Sequence, residues 1–147
     1  MDELIKQMKE LLANTVTMYL KASGFHWNVE GENFAQFHDF FGDIYADVYN
    51  AIDPTAENLR KLNVMAPHAL GTLDSLRSIE DQPTSSDPIA MCVALVDAND
   101  MMLLNIAAAY RAAAEMNEQG ICNFLADRDS MHKKWRWQLD ATIKRRA

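Results

Sequence analysis

The fold is decided by one stretch, Gly24-Phe25-His26-Trp27-Asn28-Val29-Glu30-Gly31, which joins two long apolar segments. Apolar residues before it recur at helical spacing, which predicts a first helix over about residues 2–28. Gly31 is the predicted break, because glycine adopts the backbone conformations that end a helix. The stretch therefore predicts a helical hairpin with a tight turn at residues 30–33.

The same spacing predicts three further long helices and a short one. Their ranges are about 33–62, a short helix near 66–75, about 88–118 with Ser86 or Asp87 as its N-cap, and about 121–146 after a break at Gln119-Gly120. The first and last connections are short and the middle one is long. This pattern predicts a single all-α domain over residues 1–147, a four-helix bundle with a short helix in its one crossover.

Pro54 lies inside the second predicted helix. An interior proline costs about 3 kcal/mol of helix stability, so the helix is expected to kink or break beside Asp53. In the alternative interpretation, Asp53 is an N-cap and Pro54 the first residue of a new helix. The second helix would then end at Ile52, and Glu57 would be an ordinary solvated residue.

Composition narrows the class of protein. The net charge of −7 argues against non-specific affinity for nucleic acid and suits a protein that attracts cations. Cys92 and Cys122 form no CxxC pattern and predict buried, reduced thiols in a cytoplasmic protein. The N-terminus lacks the features of a signal peptide. No window approaches eighteen apolar residues without charge, so no membrane span is expected.

Two histidines and two carboxylates form the candidate site. The midpoint of His26 and His38 is residue 32, inside the predicted turn, so the two imidazoles should lie level across the hairpin. Asp53 and Glu57 are spaced i, i+4 and share one helix face, where both carboxylates can hold a cation.

The two pairs cannot meet within one chain. His38 and Asp53 are fifteen residues apart on one helix, which is roughly 22 Å. A shared metal therefore needs the histidines of one subunit and the carboxylates of another, and a two-fold axis would create two equivalent sites. Imidazole with carboxylate suits Fe, Mn, Zn or Co. The alternative is that both histidines are ordinary polar groups near helix ends.

A second candidate pair is Asp129 with His132, at i, i+3 on the last helix. A di-metal centre inside a bundle needs two such motifs and two further carboxylates, and only one motif is present. The sequence therefore predicts no centre there and places His132 on a polar edge. His68 has no partner pattern.

At these residues the chain resembles the Dps family (DNA-binding protein from starved cells), the dodecameric miniferritins. The segments that carry the resemblance are Tyr19-Leu20-Lys21-Ala22, residues 24–31, Asn33-Phe34, His38 and residues 53–57. It extends more loosely through Gly120 to Trp137 and Leu139. The resemblance implies a hollow ferritin-like shell of tetrahedral symmetry that oxidises Fe(II), commonly with hydrogen peroxide, stores ferric mineral and protects against oxidative stress.

Carried over by position, His26 and His38 are metal ligands from one chain, and Asp53 and Glu57 are ligands from its partner. The implied enzyme is a ferroxidase, an oxidoreductase with a di-iron or mono-iron centre at a two-fold interface, where Zn or Mn can reside at rest. Trp27 would lie beside the centre as an electron donor. The alternative is that Trp27 is a plain core aromatic.

The chain departs from the family at three places. Gly42 stands where the family often has an acid, and Asp39 and Asp43 are turned about 100° and about 140° from His38 around the helix, which predicts a weaker second iron position. Pro54 lies inside the carboxylate motif. Asn123 replaces an acid that often lines the iron entry pore, which leaves Asp127 as the candidate pore residue.

DNA binding is predicted to be weak or absent. The N-terminus is acidic and enters the first helix almost at once, without a basic tail. The short basic end Lys144-Arg145-Arg146 is more simply interpreted as complementing a helix dipole. The rival hypothesis is a DNA-compacting structural protein whose metal site is vestigial.

Overall fold

The computed structural model describes residues 1–144, which contain five helices and no strand. They are α1 (Asp2–Asn28), α2 (Phe34–Lys61), α3 (Leu70–Leu76), α4 (Pro88–Glu115) and α5 (Gln119–Ile143). The all-α class, the four long helices and the short crossover helix are confirmed. The predicted end of the last helix at Arg146 and most of the basic end Lys144-Arg145-Arg146 lie outside the described residues.

The core forms where α1 packs against α2 and α4, and α4 against α5. Leucine, methionine and phenylalanine side chains fill it, among them Met8, Leu11, Phe41, Leu95 and Met102. One buried polar residue, Asn14, secures the crossover to α1. Its Oδ1 accepts hydrogen bonds from the backbone N–H groups of Ser78 (2.9 Å) and Ile79 (3.1 Å). The long connection between α2 and α4 is thus held against the bundle.

The α1–α2 turn forms as predicted. Val29 is extended, and Gly31 has a φ of 126°, a conformation that residues with a Cβ rarely adopt. The Glu30 backbone N–H donates to the Ser86 carbonyl at 3.0 Å, which joins the turn to the segment before α4. Of the two predicted N-caps of α4, Asp87 fills the role, since its carboxylate accepts from the Ala90 N–H at 2.8 Å.

Pro54 does not interrupt α2, which runs without a break from Phe34 to Lys61. The expected interruption beside Asp53 and the alternative end at Ile52 are therefore wrong. Ala51 and Thr55 are buried on either side of the proline, and the Thr55 hydroxyl donates to the Ala51 carbonyl at 2.7 Å. Packing of this face outweighs the local cost of the proline, as tertiary contacts commonly do.

The break between α4 and α5 lies earlier than predicted. Asn117, with a φ of 57°, follows the C-cap Met116, and the Glu118 N–H donates to the Ala113 carbonyl at 2.9 Å. This is a Schellman turn with asparagine in the position that glycine usually takes. Gly120 lies inside the first turn of α5. The prediction was wrong because asparagine also tolerates the left-handed conformation. The short α3 also begins later than predicted, at Leu70.

Among residues 1–144, α4 alone is long and apolar enough to cross a membrane by length and mean hydropathy. Asp97 and Asp100 interrupt its apolar residues, so the expectation that no window approaches eighteen apolar residues without charge is not contradicted. Half of its most apolar window is buried in the bundle, where α4 packs against α1 and α5. Core packing accounts for the apolar composition of α4.

Of the two cysteines, Cys92 is buried, which raises the pKa of its thiol to about 12, whereas Cys122 is only half-buried.

Candidate metal centre

His26 near the end of α1 and His38 in the first turns of α2 lie directly opposite each other. Their rings stack at a centroid distance of 3.6 Å with an interplanar angle of 16°. Phe34 covers the other side of His38 at 5.0 Å. The prediction that the two imidazoles lie level across the hairpin is confirmed, and both side chains are half-buried.

Each imidazole is held by the backbone of the other helix. His26 Nδ1 lies 2.5 Å from the His38 carbonyl oxygen, and His38 Nδ1 lies 2.6 Å from the His26 carbonyl oxygen. A carbonyl only accepts, so both Nδ1 atoms carry the proton. In the neutral imidazole this tautomer leaves the Nε2 lone pair available, and neither Nε2 forms a hydrogen bond within residues 1–144. A backbone carbonyl on one imidazole nitrogen is the usual arrangement for a histidine whose other nitrogen binds metal.

Gly42 lies against His26. A Cβ built on Gly42 would be 3.1 Å from His26 Nδ1 and 3.2 Å from His26 Cε1, closer than ordinary van der Waals contact. The glycine thus makes room for the imidazole, and any side chain there would press on the ring. Gly42 is half-buried, and an acid at this position would first have to displace His26.

The carboxylates Asp53 and Glu57 lie one turn apart on α2, and both are exposed. The continuous helix keeps them fifteen residues from His38, roughly 22 Å along the axis. Within residues 1–144, no three histidine, cysteine, aspartate or glutamate side chains converge as a metal site. The structure therefore brings the two histidines together and leaves the carboxylates apart, so the four residues cannot share one metal within a single chain.

Four further residues considered from the sequence are exposed: Trp27, Asn123, Asp127 and His68. Trp27 follows His26 and is 69% exposed, so the alternative interpretation of a core aromatic is wrong. Asn123 and Asp127 are exposed and lie one turn apart on α5. Their role at a pore stays a prediction. His68 is exposed in the crossover.

A second polar cluster, not predicted, lies inside the bundle. Arg128 forms a bidentate ion pair with Asp47 (2.9 and 3.0 Å), and its Nη2 also donates to His132 Nε2 at 3.0 Å. His132 Nδ1 donates to Asn99 Oδ1 at 2.7 Å, and Trp135 Nε1 donates to Asp47 at 2.8 Å. These five residues are called the Arg128 cluster below. His132 is 0% exposed, so its predicted place on a polar edge is wrong.

The spacing of α5 contained a signal for this burial. Buried positions on α5 alternate by three and four residues: Ile121, Leu125, Arg128, His132, Trp135 and Leu139. Arg128 and His132 thus occupy core positions of a coiled-coil-like repeat. The spacing did not reveal the partner of Arg128, because Asp47 lies on α2, eighty-one residues away.

The cluster shifts the pKa of its members. Burial, together with the positive charge of Arg128, lowers the pKa of His132 to about 3, so the ring is neutral. Burial alone would raise the pKa of Asp47, but hydrogen bonds from Arg128 and Trp135 lower it below its usual value. The guanidinium takes the place that a metal cation would need between this carboxylate and this imidazole.

Comparison with known proteins gives one family. The family described as "Ferritin-like domain" matches residues 5–147. Antigen TpF1 of Treponema pallidum is 25% identical over 142 residues, which are 96% of this chain and 80% of that protein. A "DNA protection during starvation protein" of Brevibacillus brevis is 25% identical over 132 residues, 90% of this chain and 89% of that protein.

Solved structures agree with the sequence relatives. The Dps protein of Vibrio cholerae O1, described as a member of a broad superfamily of ferritin-like diiron-carboxylate proteins, has a TM-score of 0.93 and 27% identity, over 97% of this chain and 90% of that one. Dps from Thermosynechococcus elongatus has a TM-score of 0.94 at 19% identity, over 99% and 92% of the two chains. The second similarity supports the fold alone.

Proposed function

The chain belongs to the ferritin-like family and, within it, to the Dps family, and from this premise we propose that it is an iron-storing miniferritin with ferroxidase activity. Fe(II) is the substrate. His26 and His38 of one chain and Asp53 and Glu57 of a second copy would bind it at a two-fold interface. The assembled protein would be a dodecameric shell in the cytoplasm that stores the ferric product.

The observation that carries this proposal is the pair of free Nε2 atoms. Both imidazoles are held in the tautomer that a metal ligand requires, by carbonyl groups only 2.5 and 2.6 Å away. Two imidazole nitrogen donors side by side suit Fe(II), and also Zn or Mn at rest. Because no carboxylate completes the set within the chain, the ligands that a charged metal needs must come from another subunit.

The reaction balances with peroxide as oxidant. Two Fe(II) ions each give one electron to a hydrogen peroxide molecule, the O–O bond breaks, and two hydroxide ions form. Molecular oxygen is the alternative oxidant. Trp27, exposed and next to His26 in the sequence, would be an auxiliary electron donor beside the centre. Asp127, with Asn123 one turn before it, would line the entry pore for Fe(II). Removing Fe(II) and peroxide together protects against oxidative damage.

In the first test of ferroxidase activity, the protein is loaded with Fe(II) in the absence of oxygen and peroxide is then added. The absorbance of ferric species and the consumption of peroxide are recorded. Wild-type protein should oxidise Fe(II) faster than the double variant His26→Ala/Asp53→Ala. Equal rates would refute the ferroxidase proposal. Gel filtration should give a shell, because a monomer in solution would exclude both storage and the shared site.

Subunit mixing tests the shared site more sharply. We expect His26→Ala/His38→Ala shells and Asp53→Ala/Glu57→Ala shells each to be inactive. When the two chains are unfolded together and reassembled, half of the two-fold pairs are mixed, and each mixed pair has one intact site of two. Activity should therefore return to about a quarter of the wild-type value. Shells assembled separately and then mixed are the control. No recovery after co-assembly would show that the four residues do not share one site.

DNA compaction with a vestigial metal site is the second candidate, and Gly42 favours it, because an acid is missing beside the histidines. The continuous α2 weakens the other argument for it, since Asp53 and Glu57 stay one turn apart across Pro54. A DNA gel shift at moderate salt separates the candidates. The net charge of −7 predicts little retardation, and strong retardation together with slow Fe(II) oxidation would favour DNA compaction.

A further inference from the structure

Three of the four tyrosines form a chain of ring contacts that begins at His26. The Tyr45 ring lies edge-on to His26 at a centroid distance of 5.2 Å. Tyr19 lies 6.1 Å from Tyr45, and Tyr49 lies 5.2 Å from Tyr19. Tyr19 and Tyr45 are half-buried, whereas Tyr49 is 56% exposed. These three residues, called the tyrosine relay below, lead from the histidine pair to the protein surface.

The residue composition of this chain of contacts suits electron transfer. Aromatic pairs at these distances are in ordinary van der Waals contact, and tyrosine is one of the few side chains that a strong oxidant converts to a stable radical. Phenylalanine would pack equally well in such contacts, as it does between Phe25 and Phe41 at 6.0 Å. Hydroxyl groups on three successive rings are not needed for packing.

The histidine pair also has a reason to need an electron donor. Peroxide takes two electrons, whereas one Fe(II) gives only one. Gly42 stands where the family often has an acid, which predicts a weaker second iron position and therefore sites that hold one iron. At such a site a second electron must come from the protein.

On the basis of the proposed ferroxidase activity, we propose that Tyr45 supplies this second electron and that Tyr19 and Tyr49 carry the resulting oxidising equivalent to the surface. The step balances as follows. One Fe(II) gives one electron, Tyr45 gives one electron and its phenolic proton, and the O–O bond of hydrogen peroxide breaks. The products are Fe(III), one hydroxide ion, one water molecule and a neutral tyrosyl radical.

The radical then moves outward by exchange of an electron and a proton between neighbouring phenols. It ends on Tyr49, the most exposed of the three. The consequence is that peroxide is reduced fully at a site with one iron, and no hydroxyl radical escapes.

The fourth tyrosine provides a matched control. Tyr110 lies on α4, is 43% exposed, and forms no aromatic ring pair within the described part of the chain. Tyr45→Phe removes the oxidisable hydroxyl and keeps the ring in place, and Tyr110→Phe makes the same chemical change outside the relay. Trp27→Phe removes the competing donor beside His26.

The test uses assembled shells loaded without oxygen with one Fe(II) for each histidine pair and then mixed with one peroxide. Samples frozen within milliseconds are examined by electron paramagnetic resonance, and a spin trap records hydroxyl radical. We expect a tyrosyl signal in wild-type, Tyr110→Phe and Trp27→Phe shells. Tyr45→Phe should lose this signal and release more hydroxyl radical to the trap.

Two results would overturn the relay while leaving the ferroxidase proposal intact. In the first, Fe(II) is oxidised normally and the tyrosyl signal is the same in Tyr45→Phe as in wild type. In the second, the radical is a tryptophanyl radical that disappears with Trp27→Phe. If wild-type shells oxidise Fe(II) no faster than His26→Ala/Asp53→Ala shells, the ferroxidase proposal itself is wrong. The relay proposal, which rests on it, is then wrong as well.

Discussion

The histidine pair and the Arg128 cluster use the same imidazole tautomer but differ in what lies at Nε2. In both regions Nδ1 donates to an oxygen: the opposite backbone carbonyl for His26 and His38, and the Asn99 amide oxygen for His132. His132 Nε2 accepts from the Arg128 guanidinium. The Nε2 atoms of His26 and His38 have no such partner within residues 1–144.

This difference distinguishes a self-contained structural cluster from the proposed metal site. The Arg128 cluster contains its own cation, and its carboxylate, imidazole and amide are all hydrogen-bonded, which is what a buried polar network needs to be tolerated. The histidine pair is half-exposed and holds two lone pairs that only a ligand from outside the chain can use. Both regions contain histidines, so the residue type alone does not tell which imidazole is free to bind a ligand.

The largest predicted effect is on the stability of the Arg128 cluster. Arg128→Ala leaves the half-buried Asp47 without its ion pair and the fully buried His132 without its Nε2 partner, which should lower the free energy of unfolding by about 3–5 kcal/mol. Urea unfolding at one protein concentration measures this. The matched control is Arg136→Ala, which removes ion pairs with Asp140 and Asp100 whose side chains are all more than a third exposed and should cost at most about 1 kcal/mol. Equal losses in the two variants would show that the cluster is not a structural unit.

The second prediction compares the replacement of one histidine in each of the two regions. His38→Ala should lower Fe(II) affinity at least about tenfold, because a ligand is worth at least as much as its hydrogen-bonded support. His132→Gln should lower the free energy of unfolding and leave Fe(II) affinity unchanged. Anaerobic titration with Fe(II), together with urea unfolding, measures both. Loss of Fe(II) affinity in a folded His132→Gln shell would mean that the bundle interior also binds metal.

The third prediction concerns pH. His132 has a folded pKa of about 3, below its usual 6.5, so below about pH 6 the unfolded chain binds a proton that the folded chain does not. Stability is therefore full above pH 6.5 and falls as the pH drops towards 3, by about 1.4 kcal/mol per pH unit. Urea unfolding at pH 7 and pH 5 should show a steeper loss in wild type than in His132→Gln. Asp47 does not contribute between pH 7 and pH 5, because its lowered pKa acts only near and below its usual value of 3.8. An equal loss of stability in the two proteins would show that the pKa of His132 is not lowered in the folded protein.

The smallest predicted effect compares two helical glycines. Gly24→Ala has nothing within 4 Å of the added Cβ and should stabilise α1 by about 0.5–1 kcal/mol. Gly42→Ala gains the same helix propensity but presses on the His26 ring, which costs about 1–3 kcal/mol. Gly42→Ala shells should therefore be less stable than Gly24→Ala shells and bind Fe(II) more weakly. If Gly42→Ala is as stable and as active as Gly24→Ala, the close approach to His26 is without consequence.

Local patterns in the sequence determined the helices and the separation of the histidine pair from the carboxylates. Helical periodicity and the glycine turn placed His26 level with His38, because equal distances from a hairpin turn bring two residues opposite each other. The fixed rise of a helix kept Asp53 away from His38. The local pattern is wrong where a residue is compatible with two backbone structures. Pro54 predicts a break, although its buried neighbours keep α2 continuous. Gly120 predicts the end of α4, although Asn117 forms it.

Only the tertiary structure decided which side chains from different helices meet. Asp47 joins Arg128 across eighty-one residues, Asn99 joins His132 across thirty-three, and Tyr19 joins Tyr45 and Tyr49 across α1 and α2. Such contacts depend on how far each helix is rotated and shifted against its neighbour, which periodicity within one helix does not specify. The sequence therefore determined where ligands are available, and packing decided which of them remain free to bind.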